Sequence, residues 1–133
     1  MSKSTDQFKT PRFRVRTAAD VEENHHPNNM NVRAVFGAGD GIFESSLQMM
    51  LVNRLPVGEV NAAHSHDDVE KLYYFLGGRA EVTCGPTTTT VTAGDCLFFP
   101  AAIEHQIRSL GPNELAFVVC GARTTQTPKG LEG

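Results

Sequence analysis

From Ser45 to Ala122 the sequence is one short β-prone run after another, each ended by Gly or Pro. LQMMLVNRL (47–55) is stopped by Pro56 and Gly58, and KLYYFLGG (71–78) ends in a Gly pair that signals a hairpin. RAEVTCG (79–85) reads as the return strand, with Ala80, Val82 and Cys84 alternating against Glu81 and Thr83. TTTTVTAG (87–94) reads as an exposed strand, because threonine is β-branched. DCLFFPAA and IEHQIRSL read as the next strand pair, broken at Pro100, and ELAFVVCGA (114–122) as a strongly apolar last strand. No amphipathic helix of ten residues interrupts the series. Seven or more short strands at this spacing predict an antiparallel barrel or sandwich.

Inside this series lies a group of metal-binding side chains. His64 and His66 are two apart, so a strand would present both imidazoles on one face. Glu70 follows after Asp67 and Asp68, which suit a bend, and His105 supplies a further imidazole downstream. Three imidazoles and a carboxylate form a ligand set for a divalent transition metal: Fe, Mn, Ni, Co or Zn, one per chain.

The spacing resembles the cupin family. That family's first motif is Gly, five residues, His-x-His, three or four residues, Glu, six residues, Gly. Gly58, His64, His66, Glu70 and Gly77 satisfy it. Gly94, Pro100 and His105 satisfy the second motif, with Ala102 in place of its Gly and Ser109 in place of its Asn. The resemblance covers residues 45 to 121. It implies an all-β, single-domain, double-stranded jelly-roll β-barrel. Residues 31–122 are expected to form that barrel, 1–30 an irregular N-terminal arm and 123–133 a disordered tail. It also implies a homodimer, since domains of this kind often pair through edge strands.

The resemblance further implies a catalytic role for Glu70 as an acid or base. Which tyrosine lines the cavity depends on strand parity. If Glu70 points inward on a regular strand, Leu72, Tyr74 and Leu76 share its face, and Tyr74 is the candidate phenol. A bulge would substitute Tyr73 and Phe75. Arg54 would bind a carboxylate substrate if its face of the strand is interior. Gln106 and Arg108 fall on the face opposite His105, outside the pocket. Met49, Leu51, Leu97, Phe99, Phe117 and Val119 are candidates for the lining or core.

Three functional classes follow. One is an Fe(II)-type dioxygenase; the second is a Lewis-acid isomerase, lyase or cyclase; the third is a non-catalytic small-ligand binding or sensor module. Each takes a small, oxygen-rich organic molecule. A net charge of −3 gives no electrostatic reason to expect nucleic acid. No apolar run approaches the ~20 residues that span a bilayer. The polar start MSKSTDQFKTPRFRVRT lacks the apolar centre of a secretory signal, so a cytoplasmic location is expected.

Three cysteines, Cys84, Cys96 and Cys120, read as small buried hydrophobes in a reducing compartment, the alternative for Cys96 being a thiol close enough to reach the metal. His25 and His26 read as solvated loop residues, the sharper alternative being an arm folded over the barrel mouth. GAGDG (37–41) is not a phosphate loop, because no Lys-Ser/Thr and no helix pattern follow it.

Overall fold

The structure, a computed structural model, describes residues 12–64 and 68–125. Ten strands follow in order: β1 (Glu23–His25), β2 (Asn31–Gly37), β3 (Leu47–Leu55), β4 (Val60–His64), β5 (Val69–Gly77), β6 (Arg79–Cys84), β7 (Thr87–Thr92), β8 (Cys96–Phe99), β9 (His105–Ser109) and β10 (Leu115–Arg123). Two three-residue 3-10 turns, Ala18–Asp20 and Ala38–Asp40, are the only helical pieces among the described residues. No helix there is long and apolar enough to cross a membrane.

The strands form two antiparallel sheets, ordered β1-β2-β3-β10-β5-β8 and β4-β9-β6-β7. From β3 onward every connection except β6–β7 carries the chain from one sheet to the other. This crossing is the jelly roll, and it corrects two local readings. The Gly77–Gly78 pair does not close a hairpin, because β5 pairs with β10 and β8 while β6 pairs with β7 and β9. Nor do β8 and β9 pair with each other. Gly-Gly here makes a corner between sheets. Gly78 has φ +80°, and a Cβ on it would lie 2.7 Å from the Glu114 carbonyl oxygen. Only glycine takes that backbone and that contact without strain.

Alternation along β5 fixes its two faces. Tyr73 and Phe75 are buried, whereas Leu72, Tyr74 and Leu76 are exposed. The buried set meets Phe99 of β8 and Phe117 of β10. Tyr73 stacks on Phe117 at 5.2 Å between ring centroids and meets Phe99 edge-on at 5.0 Å, while Phe75 lies 5.4 Å from Phe117. Offset and edge-on pairs of this kind add to the burial of large apolar rings. Ala80, Val82 and Ile107 close the core from the four-stranded sheet. The threonines of β7 are exposed, as their run suggested, and only Val91 turns inward.

The N-terminal segment is part of this architecture. β1 pairs with β2, and Arg54 ties it down, its guanidinium donating to Glu23 at 2.5 and 2.6 Å and to Glu114 at 2.7 and 2.9 Å. Arg54 therefore lies on the outside of the barrel with both ion pairs and is not a substrate clamp. After β1 the chain turns at 26–29 and is fastened to β4. Asn29 Nδ2 donates to the Val60 carbonyl and Asn61 Nδ2 to the Asn28 carbonyl, each at 3.1 Å. Residues 26–30 thus pack against β4 and contribute to the wall of the barrel interior.

Candidate metal centre

His105 opens β9 and is 3% exposed. Its ring stacks on Phe99 at 4.1 Å, and its Nδ1 lies 3.2 Å from the Ile103 carbonyl. A carbonyl only accepts, so Nδ1 carries the proton and Nε2 the lone pair. A histidine held in this way is oriented as a metal ligand. Along the ladder between β4 and β9 a register shift falls between Asn61 and His64, and it sets the His64 backbone opposite His105. On the other flank Cys84 of β6 is opposite His105. His66, Asp67 and the side chain of His64 lie outside the described residues.

The carboxylate of the expected set is elsewhere. Glu70 is exposed, on the outward face of β5 with Leu72 and Tyr74. Its ladder partner is Ala122, whereas Lys71 sits opposite the buried Phe99 and Gly121. Strand parity therefore turns Glu70 out and Lys71 in. Tyr74, the expected catalytic phenol, is 47% exposed on the same outer face, and Tyr73 takes the interior place. Among the described residues no three His, Cys, Asp or Glu side chains converge.

A sequence signal for this exists. The motif glycine is Gly78, not Gly77: Gly78 alone has the left-handed backbone and the tight contact. Six residues lie between Lys71 and Gly78 and four between His66 and Lys71, the motif's other allowed spacing. A lysine thus occupies the place of the family's glutamate. The second motif departs more gently. Ala102 holds φ +66°, the conformation its Gly would supply without strain, and Ser109 is buried in β9.

Lys71 reaches a cavity of about 230 Å³ in the barrel interior, lined also by Tyr73, Asn53, Asn61, His26 and Met30. Burial lowers the affinity of the Lys71 ammonium for its proton and pushes the Tyr73 phenol well above its ordinary range. Tyr73 is therefore a neutral hydrogen-bond donor near pH 7, not a base. Phe99 links this cavity to His105, facing Lys71 and Tyr73 on one side and stacking on the imidazole on the other. His26 contributes to the cavity wall, while His25 is exposed and lies 2.9 Å from Asn31 Oδ1 through its Nδ1.

The thiols are also redistributed. Cys96 is exposed on the outer face of β8, away from the interior. Cys84 packs against the core instead, and burial raises its thiol pKa, which keeps it protonated. All three cysteines are free.

The donors fit a metal in part. His105 is buried and oriented as such a donor, the side chains of His64 and His66 lie outside the described residues, and the carboxylate of Glu70 is not on the inner face. Soft or borderline divalent ions accept such an imidazole set.

Comparison with known proteins agrees with the fold. An uncharacterized protein of Methanocaldococcus jannaschii is 25% identical over 116 residues, 87% of this chain and 82% of that one. Among solved structures, a predicted oxalate decarboxylase of Thermotoga maritima superposes with a TM-score of 0.73 at 18% identity, covering 83% of this chain and 99% of that one. The cupin domain of Schizosaccharomyces pombe Cnp3 gives 0.71 at 17% identity, covering 84% and 74%. KdgF from a Halomonas species gives 0.66 at 18% identity, covering 81% and 94%. These structures share the fold across quite different named proteins. The Cupin domain family model matches residues 51–121, more than half of the chain, and the chain therefore belongs to the cupin family.

Proposed function

We propose that this cupin binds one divalent transition metal through His64, His66 and His105, and acts on a small, oxygen-rich organic molecule held in the barrel interior. The observation that carries the reading is His105: buried, oriented by the Ile103 carbonyl, and opposite His64 in the β4–β9 ladder. Glu70 has no part in the ligand set. When bound, the metal supplies Lewis-acid polarisation of a coordinated oxygen or, for iron, redox chemistry with dioxygen. The protein's own groups bind and orient: Lys71 brings positive charge, Tyr73 a neutral donor, and the 26–30 arm limits access of water. The test is metal analysis of the purified protein, with oxygen uptake measured after anaerobic iron loading. Uptake that needs both iron and a chelating substrate supports the dioxygenase form. Anaerobic turnover with zinc, nickel or manganese supports isomerase or lyase chemistry.

A second reading, a non-catalytic ligand-binding or sensor cupin, is favoured by one observation. No Asp or Glu is among the described residues lining the cavity, so none of those residues offers a carboxylate to move a proton there. Saturable binding without turnover on any metal would support it.

The partner we propose is a second copy of the chain. The outer face of the six-stranded sheet carries Leu72, Leu76 and Phe98, each at least half exposed, beside Tyr74 and Met50. This apolar area is continuous over adjacent strands β3, β10, β5 and β8 and suits a self-complementary interface. The contact we propose is a face rather than an edge strand.

A further inference from the structure

The cavity combines three features that bear on what fills it. First, Lys71 forms no ion pair among the described residues, although its neighbours leave it largely buried. An ammonium drawn into such surroundings is costly unless an anion meets it. Second, Asn53 is 5% exposed, lines the same cavity, and leaves its Oδ1 buried without a hydrogen-bond partner. Buried amides are normally satisfied, and an amide can accept from or donate to a hydroxyl. Third, the space is about 230 Å³, below the ~300–1,000 Å³ of sites that hold drug-sized ligands. The remaining wall includes Val32, Leu51 and Val119, which suit a short carbon skeleton.

We infer that the cavity binds a small hydroxycarboxylate, its carboxylate against the Lys71 ammonium and a hydroxyl against the Asn53 amide. The ligand is a short-chain acid bearing at least one hydroxyl. Charge and hydrogen bonding divide the recognition: Lys71 selects the anion, and Asn53 separates the hydroxy acid from its deoxy analogue. Met30 and His26 from the N-terminal arm complete the wall, so binding closes on a pocket that residues 31–122 alone do not form. The inference rests on reading the barrel interior as the ligand site and does not depend on a metal.

The experiment is isothermal titration of the full chain, both chelator-treated and metal-loaded. The ligands are glycolate, lactate, glycerate and tartrate, each paired with its deoxy acid: acetate, propionate and succinate. Glycerol serves as the neutral control. At least one hydroxy acid is expected to bind the chelator-treated protein tenfold or more tighter than its deoxy partner and than glycerol. Lys71→Met is expected to weaken that binding tenfold or more, and Lys71→Arg to retain most of it. Asn53→Ala is expected to erase the preference over the deoxy acid. Unfolding temperatures of each variant separate loss of binding from loss of fold; if Asn53→Ala unfolds, Asn53→Ser takes its place. Three results would each overturn the inference: no hydroxy acid binding, equal affinity for hydroxy and deoxy acids, or binding unchanged by Lys71→Met. Binding seen only with metal, and indifferent to Lys71, would overturn it while leaving the metal reading standing. Binding with no metal retained would do the reverse.

Discussion

Glu70 and Lys71 are adjacent in sequence and stand on opposite faces of β5, with the lysine toward the interior and the glutamate toward solvent. At this position of β5 the inward charge is a lysine's and not a glutamate's. A lysine stands where the motif has a carboxylate, and the proposed anion binding rests on it.

Exchanging these charges should therefore act asymmetrically on metal retention. Lys71→Glu places a carboxylate on the inner face and is expected to raise metal affinity about tenfold or more. Glu70→Gln is expected to leave it unchanged. Competition with a chromophoric chelator measures both, and a large loss of metal in Glu70→Gln would return the outer residue to the ligand set.

Gly78→Ala tests the corner between sheets. Its φ of +80° and the 2.7 Å approach to Glu114 penalise any Cβ. A loss of ~2 kcal/mol or more is expected, in line with strained backbone positions. Gly77→Ala, with open space at its Cβ position, should cost much less. Chemical denaturation of the two variants side by side decides the matter.

The ion pairs at β1 give a pH dependence. The hydrogen bond from Arg54 holds the Glu23 carboxyl below its ordinary value of 4.5. The folded state then binds fewer protons than the unfolded state just below pH 4.5, so stability rises with pH there. The contribution is present above pH 4.5 and is lost as pH falls through the lowered folded value. Arg54→Met should reduce stability at pH 7, and its deficit against the parent should shrink toward pH 3. Thermal melts across that range report it; a deficit that stays constant would mean Arg54 acts through packing alone.

Leu72→Asp with Phe98→Asp places two charges on the apolar outer face. Light scattering is expected to give twice the chain mass for the parent and a single chain mass for the variant, with unfolding temperature little changed. A parent that is already monomeric at working concentration would remove the dimer.

The alternation of Ala80, Val82 and Cys84, the breaks at Gly and Pro, and the exposed threonines made the barrel legible, because each is a local consequence of strand geometry. The cupin spacing was legible too, since His-x-His and Gly94, Pro100 and His105 are fixed in number. Facing was harder. Two consecutive glycines satisfied the motif count equally well, and choosing Gly77 shifted the strand by one residue, which exchanges its two faces. That single step turned Glu70 inward and Lys71 outward, and with them Tyr74 and Tyr73. Sheet membership was also hidden. A Gly-Gly corner between sheets and a Gly-Gly hairpin look alike in sequence, because both need only a left-handed residue. The cavity's Asn53 and His26 carried no signal, since their neighbourhood is made by strands and an arm far apart in the chain.

The most direct measurement is metal per chain in the parent, His105→Ala and Glu70→Gln, each loaded anaerobically and then desalted. Near-stoichiometric metal in the parent and in Glu70→Gln, with most of it gone from a folded His105→Ala, is the expected result. Metal retained without His105, or no metal in the parent after loading, would contradict a histidine-held metal centre in this barrel.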